Sequence, residues 1–128
     1  MVDFGTATTF DAISAKGEYL GGAIAPGVEI SAEALFTVAA KLSRVDLQKP
    51  ANVIGKNTET SVQSGLIFGF AGLVDTIVGK MKKEIEGDPR VIATGGLASL
   101  ITPACTAVQK VDSLLTLFGL KIVYEMNR

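Results

Sequence analysis

The apolar positions set the elements before any single residue suggests chemistry. Over residues 1–30 they follow a strand period. MVDFG is apolar up to Gly5, and TTFDAIS puts Phe10 and Ala12 on one side, Asp11 and Ile13 on the other. SAKGEY carries Gly17 where a tight hairpin turn needs it. YLGGAIAPG then returns to the turn dipeptide Pro26-Gly27. The expectation is a three-stranded antiparallel meander. The spacing next becomes helical. VEISAEALFTVAAKL predicts a helix capped near Ser31, with Ile30, Ala34, Leu35, Val38 and Leu42 as its buried stripe. After the polar connection SRVDLQKPANVIGKNT, a long helix is predicted from about Thr58 to Glu86. Thr58 or Ser61 is its expected cap, with Glu59 favourable at the positive end. Its expected apolar face is Val62, Leu66, Phe70, Leu73, Ile77, Met81 and Ile85. PRVIATGGLASLI reads as strand, Gly-Gly turn and helix. VDSLLTLFGLKIVYEMNR reads as a last helix, with Leu114, Leu117, Leu120 or Lys121, and Tyr124 near one face.

The order is that of an α/β domain with its strands clustered first. Gly65, Gly69 and Gly72 stand out inside the long helix, since each costs roughly 1 kcal/mol relative to Ala. Their expected compensation is close approach of another backbone: the sheet, a helix or a second subunit.

Composition narrows the chemistry. The 128 residues suit one domain, 1–128, and 48% hydrophobic against 20% charged residues argues against disorder. A net charge of −1, with no basic helix, argues against a nucleic-acid partner. There is no His, which removes histidine-based nucleophilic catalysis and histidine metal sites together. Cys105 is the single cysteine, so no intrachain disulfide forms. GLIFGFAGLVDTIVG is short for a bilayer span and is interrupted by Asp75, so a buried helix and no membrane partner are expected. No signal-peptide pattern is visible, and the expected location is cytoplasmic.

Three stretches invite a chemical reading. In Asp3-Phe4-Gly5-Thr6-Ala7-Thr8-Thr9, Gly5 permits close backbone approach and Thr6 and Thr8 offer hydroxyls. Turn amides there can form an anion-binding concavity, and Asp3 can hold a cation. Equally, the stretch reads as a strand with ordinary β-forming threonines. Thr94-Gly95-Gly96 is a second glycine turn, ahead of a helix whose N-terminus suits a phosphate or ribose. Gly55-Lys56-Asn57-Thr58 resembles part of a Walker loop but lacks the full spacing.

Taken in order, DFGTATTFD, GEYLGGAIAPG, VIGKNT and VIATGG resemble the C-terminal half of a type III pantothenate kinase, along essentially the whole chain. The resemblance implies an actin-like (ribonuclease H-like) fold within the superfamily of acetate and sugar kinases. It implies ATP-dependent phosphorylation of pantothenate, the first step of coenzyme A synthesis, with Mg2+ and a monovalent cation, K+ or NH4+. By motif match, Asp3 would coordinate the monovalent cation, and Gly5 and Thr6 would meet ATP phosphate. Thr94, Gly95 and Gly96 would form the adenosine-side turn. Thr58 would contact pantothenate, and Gly22 to Gly27 would shape the pocket wall. Family members are homodimers, which gives the glycines of the long helix a possible partner.

The family's N-terminal half carries a D-x-G-N-T phosphate loop and a G-x-D-R stretch whose Asp is the general base. Neither occurs in this chain. The expectation is therefore one half of a two-domain kinase, with no catalytic base of its own and inactive without the missing N-terminal half. The alternative is a non-catalytic dimerisation or regulatory module, akin to transcriptional accessory factors.

Overall fold

The computed structural model describes the whole chain, Met1–Arg128. Strands β1 (Val2–Phe4), β2 (Ala7–Ile13) and β3 (Tyr19–Pro26) form the expected antiparallel meander. Strands β4 (Ile92–Thr94) and β5 (Lys110–Val111) then join in parallel on the other side of β1. The sheet is five-stranded and mixed, in the order β3-β2-β1-β4-β5. A meander with one further strand therefore falls short of the observed sheet. The missed strand, β5, has two residues, too few to show a period-two pattern.

Register explains the alternation. Val2 pairs with Phe10 and Phe4 with Thr8, all at most 1% exposed on one face, while Asp3 pairs with Thr9 on the other. The ladder continues to the first residue. The Met1 ammonium donates to the Asp11 carbonyl at 2.7 Å, and the Asp11 amide donates to the Met1 carbonyl at 2.9 Å. Between β2 and β3 the chain turns at Gly17, whose φ of 81° lies in the left-handed region that favours glycine. The Ser14 hydroxyl caps that turn by accepting from the amides of Lys16 and Glu18.

Helices α1 (Val28–Val38), α2 (Thr58–Met81), α3 (Ala98–Ile101) and α4 (Leu115–Met126) complete the fold, and a 3₁₀ turn extends α3 over Thr102–Ala104. The core joins Val2, Phe4 and Phe10 of the sheet to Ile67, Phe70, Val74 and Val78 of α2. Val28, Ala32, Ala93, Ala98 and Ile101 close it. Each large side chain buried in this way contributes roughly 1.5–3 kcal/mol.

Helix α1 starts earlier than predicted, at Gly27 as N-cap instead of Ser31. Its buried face is also different: Val28 and Ala32 are buried and Phe36 packs partly against the core, while Ile30 and Val38 are 49% and 83% exposed. Both faces of VEISAEALFTV are apolar, so periodicity alone does not fix which one turns inward. Helix α2 is capped by Asn57, not by Thr58 or Ser61. The Asn57 side chain accepts from the Thr60 amide at 2.8 Å, and the Thr60 hydroxyl accepts from the Asn57 amide. The helix ends at Met81 and not Glu86.

Two polar residues are buried on α2. Gln63 Nε2 donates to the Asp46 carbonyl at 3.0 Å, and the Ser64 hydroxyl donates to the Val53 carbonyl. These bonds tie the connection before α2 to the core. By length and composition α2 could cross a membrane, but 50% of its apolar window is buried inside the fold. A Cβ added at Gly65, Gly69 or Gly72 would meet nothing within 4 Å. The close approach expected of these glycines is therefore not made by any part of this chain.

Candidate functional site

Three glycine turns meet at one edge of the sheet because of strand direction. β1 and β4 are parallel, so the Gly5-Thr6 and Gly95-Gly96 turns leave the same end. β3 is antiparallel to β2, with Pro26 opposite Ala7, which brings Gly27 to that edge as well. The fit is tight. A Cβ on Gly27 would collide with the Thr6 carbonyl oxygen. One on Gly95 would collide with Asp3 Oδ1 and stand 2.6 Å from the Phe4 carbonyl carbon and oxygen. One on Gly5 would lie 3.5 Å from the same Asp3 oxygen. Gly5 and Gly95 thus leave room on two sides of one carboxylate.

The turns are tied within the chain and still leave donors free. The Gly5 amide donates to the Ala7 carbonyl at 3.2 Å, the Leu97 amide to the Phe4 carbonyl at 3.4 Å, and the Ala98 amide to the Gly95 carbonyl at 3.2 Å. The amides of Thr6 and Gly96 donate to no carbonyl of the chain, and both residues are exposed. With the Thr6 hydroxyl they offer an anion three donors from two turns. Thr8 is differently placed: it is fully buried, and its hydroxyl donates to the Pro26 carbonyl at 3.1 Å.

Asp3 belongs to no cluster of three or more acidic, Cys or His side chains, the kind of group that cages a divalent metal. A single carboxylate beside backbone carbonyls fits a singly charged cation better than a caged divalent one, which takes several carboxylates. Donor set and space are therefore compatible with a monovalent ion at Asp3.

The other candidate residues divide. Thr94 lies beside Asp3 in register but is only 2% exposed, so exposed groups on that turn come from Gly95 and Gly96. The helix after the turn, α3, has four residues, too few for the dipole expected of a phosphate-binding helix start. Gly22 pairs with Asp11 and is packed against the Phe10 carbonyl. It lies four positions along the strand from Pro26, roughly 13 Å. Thr58 opens α2 and lines a shallow groove of about 460 Å³ with Leu35, Leu42, Ser61 and Val62. No residue of the three turns lines that groove.

Asp75 was legible only as an interruption in an apolar run. In the structure it anchors the segment that follows α3. Its carboxylate accepts from the Thr106 amide at 2.8 Å, the Thr106 hydroxyl at 2.8 Å and the Ala107 amide at 2.9 Å. Burial pushes its pKa up, but these bonds from Thr106 and Ala107 outweigh burial and hold it below the usual carboxylate value. Beside it, burial first and the Asp75 charge second push the Cys105 thiol up to about 11. Cys105 is therefore a thiol at neutral pH and not an activated nucleophile.

Comparison with known proteins agrees with the motifs. The family model of type III pantothenate kinase matches residues 1–80. A type III pantothenate kinase of Citrifermentans bemidjiense is 59% identical over 128 residues, covering 100% of this chain and 50% of that protein. The one from Geobacter sulfurreducens is likewise 59% identical with the same coverage. That of Syntrophus aciditrophicus is 55% identical over 127 residues. The chain spans about half the length of these relatives. Among solved structures, a Campylobacter jejuni protein described as a Baf family transcriptional activator superimposes with a TM-score of 0.70 at 23% identity. It covers 98% of this chain and 56% of its own, a likeness of fold. On sequence, the chain belongs to the type III pantothenate kinase family.

Proposed function

We propose that this chain is the half of an ATP-dependent pantothenate kinase that carries the second phosphate loop and the cation site. The reaction is transfer of the ATP γ-phosphoryl group to pantothenate, the entry to coenzyme A synthesis, in the cytoplasm. The observation that carries this is the meeting of the Gly5-Thr6 and Gly95-Gly96 turns at the Asp3 carboxylate, with Gly27 packed against the Thr6 and Gly5 carbonyls. The actin-like architecture belongs to the same proposal. It is supported by a mixed sheet with an antiparallel meander on one side and parallel strands on the other.

Phosphoryl transfer depends on positioning and on neutralising phosphate charge. Thr6 would bind a phosphate oxygen through its hydroxyl and amide, and the Gly96 amide would face the nucleotide from the neighbouring turn. Asp3 would hold K+ or NH4+, which supplies positive charge against the phosphates when bound; Mg2+ would travel with ATP. Thr58, exposed at the start of α2, would contact pantothenate. The general base is assigned to the other half, so the chain alone is expected to be inactive. The open glycine face of α2 supports a homodimer joined there. The alternative regulatory module gains nothing from a neighbour at 23% identity, which speaks to fold alone.

The test joins the unmatched half of the Citrifermentans bemidjiense relative to this chain, in the relative's own order. Pantothenate phosphorylation is then assayed with ATP, with and without K+. Potassium-dependent turnover is expected from the chimera and none from the chain alone. Asp3→Asn should remove the potassium response and lower turnover about 100-fold. Turnover by the chain alone, or an active chimera indifferent to K+ and to Asp3→Asn, would refute the assignment.

A further inference from the structure

Helix α4 has twelve residues and none of them is buried. Phe118, Leu120, Ile122 and Val123 are 53%, 61%, 56% and 58% exposed, although all are large and apolar. A helix of this length is marginal in water without packing. It stands off from the body over an open cleft of about 700 Å³. The facing wall is formed by residues such as Ile13 at the end of β2 and Ile85 just beyond α2. Most residues lining the cleft are apolar, with Lys82 and Arg90 among the few charged ones. Soluble monomers rarely leave so large a contiguous apolar surface uncovered.

We propose that the cleft under α4 is the docking seat for the other half of the kinase, which inserts an apolar element between α4 and the sheet. The proposal rests on the two-half reading above. Two comparisons favour this occupant over a second copy of the chain. The curated relatives are about twice as long as the region they share with it. The solved neighbour aligns with 98% of this chain yet has nearly half its own length to spare. The position of Met1 agrees, because it lines the cleft, and polypeptide joined ahead of it would leave from there.

The test compares the chain with the same chimera by amide hydrogen exchange and thermal melting. In the chimera the α4 amides should exchange at least tenfold more slowly than in the chain alone. Phe118→Asp and Val123→Asp should lower the chimera's Tm and leave the isolated chain's Tm unchanged, because in it these side chains are exposed. Equal exchange in both proteins would overturn the proposal. So would equal destabilisation of both, which would mean that the chain already packs α4 itself. Protection that appears in the isolated chain as its concentration rises would assign the cleft to a second copy instead. The kinase assay is read separately. Protected α4 without turnover leaves the docking seat standing and removes the activity, while turnover with unprotected α4 does the reverse.

Discussion

Replacing Gly95 by Ala sets the fold and the site against each other. Gly95 has a φ of 97°, in the left-handed region where an L side chain is strained by about 1–2 kcal/mol. The new methyl would collide with Asp3 Oδ1 and stand 2.6 Å from the Phe4 carbonyl group. The carboxylate can rotate away. The carbonyl cannot, because it closes β1 and accepts from the Leu97 amide, so the overpacking adds about 1–3 kcal/mol. Lower entropy of the unfolded chain returns about 0.4–1 kcal/mol. The net expectation is a loss of roughly 2–4 kcal/mol, a large share of a domain's usual 5–15 kcal/mol. Gly96→Ala is the internal control: a Cβ there meets nothing within 4 Å, and the residue does not have positive φ. That variant should melt within about 1 kcal/mol of the parent. Urea unfolding followed by circular dichroism at constant m-value measures both. If Gly95→Ala unfolds with the parent, or Gly96→Ala falls as far, then the crowding at Asp3 is not what holds the turn.

The remaining predictions concern α2. Asp75→Asn should cost about 1–2 kcal/mol by removing acceptor capacity from Thr106 and Ala107. Because the Asp75 pKa is depressed in the folded state, its contribution is present above the unfolded carboxylate value of about 3.9 and is lost as pH falls through the folded value. Parent and variant stability curves should therefore converge on acidification, and a gap that persists at the lowest pH would contradict the assignment. Gly69→Ala should stabilise the subunit by up to about 1 kcal/mol, since its Cβ enters open space in a helix. The same change should weaken self-association in sedimentation runs if α2 is the dimer face; unaltered association would place the dimer elsewhere.

Sequence carried the parts of this protein that obey local rules. The meander was legible because Gly17 and Pro26-Gly27 punctuate an alternating pattern, and α2 because its apolar spacing runs unbroken. The turns at Asp3, Gly27 and Gly95 were legible as motifs, but the contact between those at Asp3 and Gly95 depends on β4 lying parallel to β1, a long-range fact. Which face of α1 turns inward was not legible, since Ile30 and Val38 are as apolar as Val28 and Ala32. Gln63 and Ser64 were passed over because their burial is bought by carbonyls in a preceding loop with no regular structure. The anchoring role of Asp75 was not legible for a related reason: its donors lie thirty-one and thirty-two residues away.

The paired bonds between Met1 and Asp11 bear on how the protein is handled at the bench. An affinity tag fused ahead of Met1 exchanges the ammonium for a peptide N–H, which can keep the bond to the Asp11 carbonyl. The next tag residues would then run antiparallel beside Ala12 and Ile13, lengthening the first strand instead of trailing in solvent. A tag that followed this path would extend the sheet, so its sequence should be chosen as strand, with proline kept out of the joining residues.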